Sequence, residues 1–158
     1  MTLLEVMIAL FVLSAMVLVF SSSVIVANRA AFMSGQYANA ISIAQHKIDQ
    51  MRAIGYGRVW DTATNKPNYV ELNEGNIVDD GQTPAGPTYS FVQQDELNTD
   101  EAKTKINYLP SPIATIKVER PDATKEQIKV TVTVSWTWKS FNSKRSNLVL
   151  TGLLTNSG

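Results

Sequence analysis

The sequence contains no cysteine, so a disulfide framework, a thiolate metal site and a cysteine nucleophile are excluded. It contains a single histidine, His46, which leaves no second imidazole for a transition-metal site. The lack of cysteine does not identify the cellular compartment. It means only that disulfides do not stabilise the fold, so its stability must come from its apolar core, with or without contacts to neighbouring molecules.

The chain has no excess of either charge, because 14 Lys and Arg residues balance 14 Asp and Glu residues. This balance gives no electrostatic reason to expect a nucleic-acid partner, since phosphate binding requires clustered positive charge. The charges are unevenly placed, however, and no ionisable residue lies between Glu5 and Arg29. The 158 residues therefore comprise an apolar segment joined to one polar domain.

Residues 6–27 (VMIALFVLSAMVLVFSSSVIVA) form an apolar run that is long enough to cross a membrane. A helix rises about 1.5 Å per residue and the hydrocarbon core is about 30 Å thick, so about 20 apolar residues are required. Serines are tolerated there, because a helical hydroxyl can bond to a carbonyl one turn earlier. A secretory signal peptide is the alternative, but residues 1–5 lack the positive charge that precedes its apolar run.

The helical pattern continues beyond this run with a single apolar face. Five residues at spacings of 4, 3, 4 and 3 share that face: Tyr37, Ile41, Ala44, Ile48 and Met51. Polar residues, Gln36 among them, are predicted on the other faces. Since no proline precedes Pro67, we predict one helix from near residue 2 to Ile54, ended by the glycines at 55–57. The apolar face should be buried against the domain that follows.

The C-terminal part of the chain has the period-two pattern of half-buried strands. Residues 127–138 (QIKVTVTVSWTW) alternate throughout, residues 113–120 alternate at Ile116 and Val118, and residues 146–154 form a third apolar stretch. Polar turns are predicted at 121–124 and 142–145. One face of residues 127–138 is predicted to be apolar: Ile128, Val130, Val132, Val134, Trp136 and Trp138. We expect an antiparallel meander covered by the apolar face of the helix.

Residues 58–112 between the helix and the meander are rich in Asn, Asp, Gly and Pro. We predict one strand there, at 88–93 (TYSFVQ), and surface loop elsewhere. Oxygen-bearing side chains in this region raise the alternative of a calcium site, but they lack the glycine and the terminal glutamate of an EF-hand loop, which favours a solvated acidic loop. These residues are Asp95, Glu96, Asn98, Asp100 and Glu101.

Glu5 is the most informative residue, because it stands at the start of the apolar run with no basic residue nearby in the sequence. An acid inside the membrane is expensive and indicates a functional site. The alternative is an ordinary flanking residue in the headgroup layer, and the residues alone do not separate the two. An amine at Met1 of a neighbouring copy, offset along the helix axis, could pair with Glu5 and set the axial register of an assembly.

The sequence MTLLEVMIALFVLSAMV resembles the mature N-terminus of the type IV pilin and type II secretion pseudopilin family. Thr2, Leu3, Leu4 and Glu5 match that pattern position by position, and an apolar run follows. Residues 40–56 (AISIAQHKIDQMRAIGY) and the late strand VTVTVSW are similar to the corresponding parts of minor pilins. Residues 58–112 match no pattern of the family.

The resemblance implies that a prepilin peptidase removes a leader before Met1 and that the new N-terminus is methylated. It implies a single-pass protein of the bacterial inner membrane that later joins an extracellular or periplasmic filament of pilin subunits, with an assembly ATPase and a platform protein supplying the energy. Assembly would depend on Met1, Thr2, Leu3, Leu4 and Glu5. Helix packing would depend on Val6, Ile8, Leu10, Phe11, Leu13, Val17 and Phe20.

We therefore expect an α+β, type IV pilin-like fold, a long N-terminal helix packed against a small antiparallel sheet. Its parts are a filament-core or membrane helix at 1–28, an amphipathic continuation at 29–55, a variable loop region at 56–112 and the sheet at 113–158. The expected function is that of a structural filament subunit without catalytic residues, metal or cofactor. The alternative is a monomeric, membrane-anchored extracytoplasmic binding module. An anchored hydrolase has no supporting motif, because His46 on the helix would have to serve any Ser-His-Asp arrangement.

Overall fold

The computed structural model describes residues 2–75, 77–78, 88–90, 108–137 and 145–156. Helix α1 spans Leu3–Ile54 and is followed by α2 (Tyr56–Val59), β1 (Trp60–Asp61), β2 (Lys66–Pro67) and α3 (Tyr69–Glu74). Strands β3 (Thr88–Ser90), β4 (Ile113–Glu119), β5 (Gln127–Thr137) and β6 (Arg145–Thr155) complete the described elements. The predicted α+β class is confirmed.

The chain divides into two compact units, Met1–Gly35 and Gln36–Gly158. The first unit consists of the N-terminal part of α1, and its described residues up to Ser34 are all exposed. The second unit, the head, contains the C-terminal part of α1 and both sheets. The domain boundaries predicted at residues 28, 55 and 112 stay predictions.

The predicted long helix is confirmed, and it ends where the glycines were expected to stop it. Gly55 has φ +89°, a conformation that side-chain-bearing residues avoid, and its N–H donates to the carbonyl of Met51 at 3.2 Å. By length and composition α1 can cross a membrane, and its most apolar window is not buried within the chain.

The four-stranded sheet has the order β3-β4-β5-β6, with every neighbouring pair antiparallel. The structure confirms the strand predicted from the alternation of residues 127–138. It is β5, in which each apolar residue from Ile128 to Trp136 is fully buried. Trp138 lies outside the described residues. Strand β4 ends at Glu119, one residue before the predicted end, and β6 extends one residue beyond the predicted 146–154 at both ends.

The turn between β4 and β5 has the chemistry predicted from 121–124. The Asp122 carboxylate accepts hydrogen bonds from the Thr124 hydroxyl at 2.6 Å and the Thr124 N–H at 2.9 Å. These bonds favour the charged carboxylate and lower the pKa of Asp122. Arg120 closes the same turn by donating to the carbonyls of Ala123 and Lys125.

The C-terminal part of α1 packs against the inner face of the sheet through small and apolar residues. Ala40 and Ala44 are fully buried, and so is Met51. A Cβ atom added to Gly152 of β6 would lie 2.8 Å from Cγ2 of Ile48, so a glycine at this position allows the close approach of helix and strand. The predicted cover of the sheet by the helix is confirmed for residues 36–54.

The predicted apolar face of this helix was partly wrong. Tyr37 and Ile41 are 37% and 47% exposed, whereas Gln36, predicted on a polar face, is 2% exposed. The buried face is therefore displaced toward Gln36 and Ala40. Burying Gln36 is tolerated because its amide has two hydrogen-bonding partners in the head.

The interpretation of 58–112 as one strand within surface loop was also wrong where the region is described. A short hairpin pairs Trp60 with Pro67 and Asp61 with Lys66, and α3 follows it. The region packs against the rest of the head because several of its apolar side chains are buried in the core. These are Val59, Trp60, Leu72, Ile77, Val78 and Leu109. The strand predicted at 88–93 is present at 88–90, and residues 91–93 lie outside the described part of the chain.

Candidate functional site

The first turn of α1 contains two polar side chains of the predicted assembly segment, Thr2 and Glu5. The Glu5 N–H donates to Oγ1 of Thr2 at 3.4 Å, and the Thr2 N–H donates to Oε2 of Glu5 at 3.3 Å. This reciprocal pair is a capping box, and an acidic side chain in the first turn also faces the positive end of the helix dipole. Glu5 therefore has a structural role that the sequence analysis missed, although Thr-x-x-Glu before an apolar run is its signature.

The capping box does not remove the charge of Glu5, because an N–H donor carries no net charge. Among the described residues, no lysine or arginine is paired with it, and the first basic residue along the chain is Arg29. Arg29 is 24 positions along the helix from Glu5, which corresponds to about 36 Å at about 1.5 Å per residue. Glu5 is therefore an exposed negative charge beside an apolar surface. Met1, predicted to supply the matching amine, lies outside the described residues.

The predicted packing residues are all exposed, and they do not lie on one face. Five of them, at spacings of 4, 3, 4 and 3, form a stripe along the helix: Val6, Leu10, Leu13, Val17 and Phe20. Ile8 and Phe11 lie outside this stripe, and Leu3 and Leu4 near the N-terminus are 82% and 67% exposed. The N-terminal unit thus presents an apolar surface all round the helix, which a soluble helix does not.

One side of this unit has a shallow apolar depression of about 480 Å³. Its lining includes the rings of Phe11 and Phe20 and the small side chain of Ala15. The lining residues are Phe11, Val12, Ala15, Met16, Val19, Phe20 and Ser23. A surface of this shape and chemistry suits an apolar side chain or an acyl chain rather than a polar ligand.

Three of the four serines of the apolar run bond their hydroxyls to carbonyls of the same helix. Ser14 donates to the carbonyl of Leu10 at 2.8 Å, and Ser22 and Ser23 both donate to the carbonyl of Val19, at 2.8 and 3.0 Å. Because these three hydroxyls are bonded within the helix, they do not prevent burial of the unit in lipid or among other helices.

A hydrogen-bonded cluster joins α1 to the sheet within the head. The side-chain amide of Gln36 accepts from the indole Nε1 of Trp136 at 3.1 Å and donates to the carbonyl of Tyr108 at 3.0 Å. The ring of Tyr37 meets the Trp136 ring edge to face, with centroids 5.0 Å apart. No local sequence pattern predicts this cluster, because the hydrogen-bonding partners of Gln36, Tyr108 and Trp136, lie 72 and 100 residues away from it.

An open groove of about 460 Å³ lies in the head beside the end of α1. Arg52 is on its rim and is paired with Asp49, with 3.0 Å between the guanidinium and the carboxylate. The lining residues are Arg52, Gly55, Tyr56, Leu153, Leu154, Thr155 and Asn156.

The other titratable groups of the head were considered as candidate binding or catalytic residues. Burial raises the pKa of Tyr89, and the neighbouring Tyr69 ring, with its centroid 5.7 Å away, adds to the shift. His46 is exposed on α1. Across the described ranges, no group of three or more His, Asp or Glu side chains is placed to hold a metal ion. The acidic residues considered for calcium, 95–101, lie outside those ranges.

The architecture of a long apolar N-terminal helix with an antiparallel sheet packed on its C-terminal part is compatible with a pilin-like fold. The chain was compared with protein-family models, curated proteins and solved structures, and it matches none of them.

Proposed function

We propose that this protein is a structural subunit of a type IV pilus-like filament and is not an enzyme. The observation that supports the proposal best is the N-terminal unit, a helix of exposed apolar side chains with a single acid at its start. Such a surface is stable only in lipid or against other apolar helices. A filament subunit uses both environments in turn, the membrane before assembly and a helix bundle afterwards.

Glu5 would determine how neighbouring copies are aligned. Inside a helix bundle its carboxylate would be removed from water, and a charge buried without a partner is strongly destabilising. The amine at residue 1 of an adjacent copy would neutralise it only at one axial offset. The capping box leaves a carboxylate oxygen, Oε1, that no described group binds, so capping and intersubunit pairing are compatible.

The residues of the apolar stripe would contribute the packing energy of the bundle. Burial of apolar surface contributes about 25 cal/mol per Å², and a fully buried Leu or Phe side chain about 1.5–3 kcal/mol. The depression lined by Phe11 and Phe20 would receive side chains of a neighbouring helix. A prepilin peptidase, an assembly ATPase and an inner-membrane platform would be the partners, as the resemblance of residues 1–17 implies.

Two substitutions separate the charge of Glu5 from its capping role. Glu5→Gln keeps a side chain that can complete a capping box but removes the charge. Thr2→Ala keeps the charge but removes the N-cap hydroxyl, at a cost of about 1 kcal/mol in helix stability. We expect Glu5→Gln to abolish or sharply reduce surface filaments while the subunit still accumulates in the membrane, and Thr2→Ala to reduce filaments much less.

The measurement is the ratio of subunit in sheared filaments to subunit in membranes, for each variant and for the unaltered protein. Equal ratios for Glu5→Gln and the unaltered protein would contradict the pairing role. A loss in Thr2→Ala as large as that in Glu5→Gln would show that helix capping, not charge, is what assembly requires.

The groove beside the end of α1 favours a second candidate, a monomeric binding module anchored in the membrane by α1. In that case Glu5 would be dispensable, and both variants would leave the protein in the membrane fraction with unchanged behaviour. Substitution of Arg52 on the groove rim would instead impair function. Filaments that contain the protein would rule this candidate out.

A further inference from the structure

The outer edge of β6 has the properties of a strand that pairs with another chain. Within the described part of the structure, β6 is bonded on one side only, to β5. It is 11 residues long, twice the usual length of a strand. Residues 147–155 contain neither a charge nor a proline, and these are the features that normally prevent an edge strand from adding to another sheet.

The side chains of β6 are less covered than those of its neighbour. On the inner face, Leu148 and Leu150 are half-buried, whereas Val134 and Val132, opposite them on β5, are fully buried. On the outer face of β6, two more apolar side chains are more than half exposed, Val149 at 54% and Leu153 at 57%. A further strand beside β6 would cover part of the exposed surface of the apolar side chains on both its inner and its outer face.

The topology of the sheet selects the strand that fits. Among the described strands, β3 and β6 lie at the two edges of the sheet. The order β3-β4-β5-β6 with antiparallel neighbours means that these two strands run in opposite directions. A second head in the same orientation therefore presents its β3 antiparallel to β6. The described residues of β3, Thr88–Ser90, are uncharged, so no charge is placed against the uncharged edge of β6.

Pairing of β6 with β6 of a second copy would also be antiparallel, but it requires a two-fold axis through the sheet. That axis would reverse the direction of residues 36–54 in the second copy. Subunits anchored in one membrane, or stacked in one filament, have their helices in a common direction. Only the pairing of β6 with β3 satisfies that condition.

We propose that the β6 edge of one head binds the β3 edge of a neighbouring copy, so that the antiparallel sheet continues from subunit to subunit. Because two different edges meet, the contact is heterologous and each added copy leaves the same edge available for the next. The common orientation of the copies rests on the proposed filament function. The contact itself is independent of Glu5 and of the helix surface.

Disulfide cross-linking tests this contact cleanly, because the chain contains no cysteine. Ser90→Cys on β3 is combined in turn with one of four outward-facing substitutions on β6. Residues directly opposite each other in an antiparallel pair have Cβ atoms about 4.5–5.5 Å apart, close to the distance that a disulfide bridges. The four β6 substitutions are Asn147→Cys, Val149→Cys, Thr151→Cys and Leu153→Cys.

The matched control is Ser90→Cys with Thr133→Cys. Thr133 lies opposite Val149 on β5 and faces the same side of the sheet, but it is one strand farther from the proposed partner. The added separation is about 4.8 Å, which places its Cβ near 10 Å from the partner strand and out of reach. The same spacing prevents an internal disulfide with Ser90 of its own copy, two strands away.

We expect oxidised filaments to give a ladder of cross-linked copies for at least one of the four double variants, and for neither the control nor any single variant. Intact filaments without such a ladder would overturn the edge contact and leave the filament function standing. A cross-linked dimer in a single β6 variant would show β6–β6 pairing and overturn it too. If no filaments form, a ladder from membranes would support the contact while the proposed function fails.

Discussion

The side-chain amide of Gln36 lies 3.1 Å from the indole nitrogen of Trp136, a hydrogen bond that joins α1 to β5 across 100 residues of sequence. The same amide also donates to the carbonyl of Tyr108 at 3.0 Å. Both bonds form in a part of the head where Gln36 is 2% and Trp136 0% exposed. These two bonds hold the Gln36 face of the helix against the sheet, because a rotation of the helix would break both of them.

Replacing Gln36 with leucine should therefore destabilise the head although leucine is apolar. The Trp136 N–H and the Tyr108 carbonyl would both lose their partner. The Trp136 N–H is fully buried, and a buried group left unsatisfied costs about 1–3 kcal/mol. Gln45→Leu, on the exposed side of the same helix, should change stability by no more than about 0.5 kcal/mol. Urea unfolding of the detergent-solubilised protein, followed by tryptophan fluorescence, measures both. Similar midpoints for the two variants would contradict the role of Gln36.

The contact between Gly152 and Ile48 predicts a cost for one added methyl group. Gly152→Ala would place a Cβ atom 2.8 Å from Cγ2 of Ile48, and overpacking of this kind costs about 1–3 kcal/mol. Gly57→Ala is the control, because no atom lies within 4 Å of its added Cβ. Adding Ile48→Ala to Gly152→Ala should cost less than the sum of the two single changes. Additive effects, measured by thermal unfolding, would show that the two residues are not in contact.

The buried phenol of Tyr89 predicts a loss of stability in alkali. Burial raises its pKa in the folded state above the ordinary value of about 10, so its stabilising effect is complete below about pH 10. As the pH rises further, the unfolded chain ionises first, and the effect is lost as pH passes through the folded pKa. Tyr89→Phe should flatten the decline in unfolding free energy above pH 10.

The control for this change is Tyr37→Phe, which removes the hydroxyl of a partly exposed tyrosine and should leave the alkaline decline in place. At neutral pH, Tyr89→Phe should not destabilise the head, since the Tyr89 hydroxyl is buried without a partner among the described residues. A decline as steep in Tyr89→Phe as in the unaltered protein would show that other groups cause it.

The two hydrogen-bonded aspartates predict a loss at the acid end of the pH range. The hydroxyl and N–H of Thr124 lower the pKa of Asp122, and those of Thr64 and Ala63 lower the pKa of Asp61. Stability from a lowered pKa is present above the unfolded value of about 3.9 and is lost as pH falls through the folded value. Asp61→Ala and Asp122→Ala combined should reduce the dependence of the melting temperature on pH between about 5 and 2. An unchanged dependence would exclude both turns as its source.

The fold was predictable from the sequence wherever one local pattern decided it. The alternation of residues 127–137 identified β5 and its buried face, and Gly55 identified the end of α1. The buried face of α1 was misjudged because burial of Gln36 depends on Trp136, far away in the sequence. The short elements between residues 56 and 75 were missed because no local pattern predicts them. They are held in place by the packing of side chains such as Leu72 into the core.

The candidate site was predictable in chemistry but not in geometry. The apolar run and Glu5 were evident from the sequence, and so, in principle, was the capping box from the spacing of Thr2 and Glu5. The proposed partner of Glu5 belongs to another copy, so neither the sequence pattern nor the fold of one chain contains that contact. The axial offset between two copies at which Glu5 meets that partner can be determined only from the structure of an assembly.

The most direct test of the proposed function is to image filaments sheared from the source cells and to determine the intact mass of their subunits. We expect filaments that contain this chain, beginning at a methylated Met1. A chain found only in membranes, without methylation and absent from every filament, would contradict it and favour the anchored binding module.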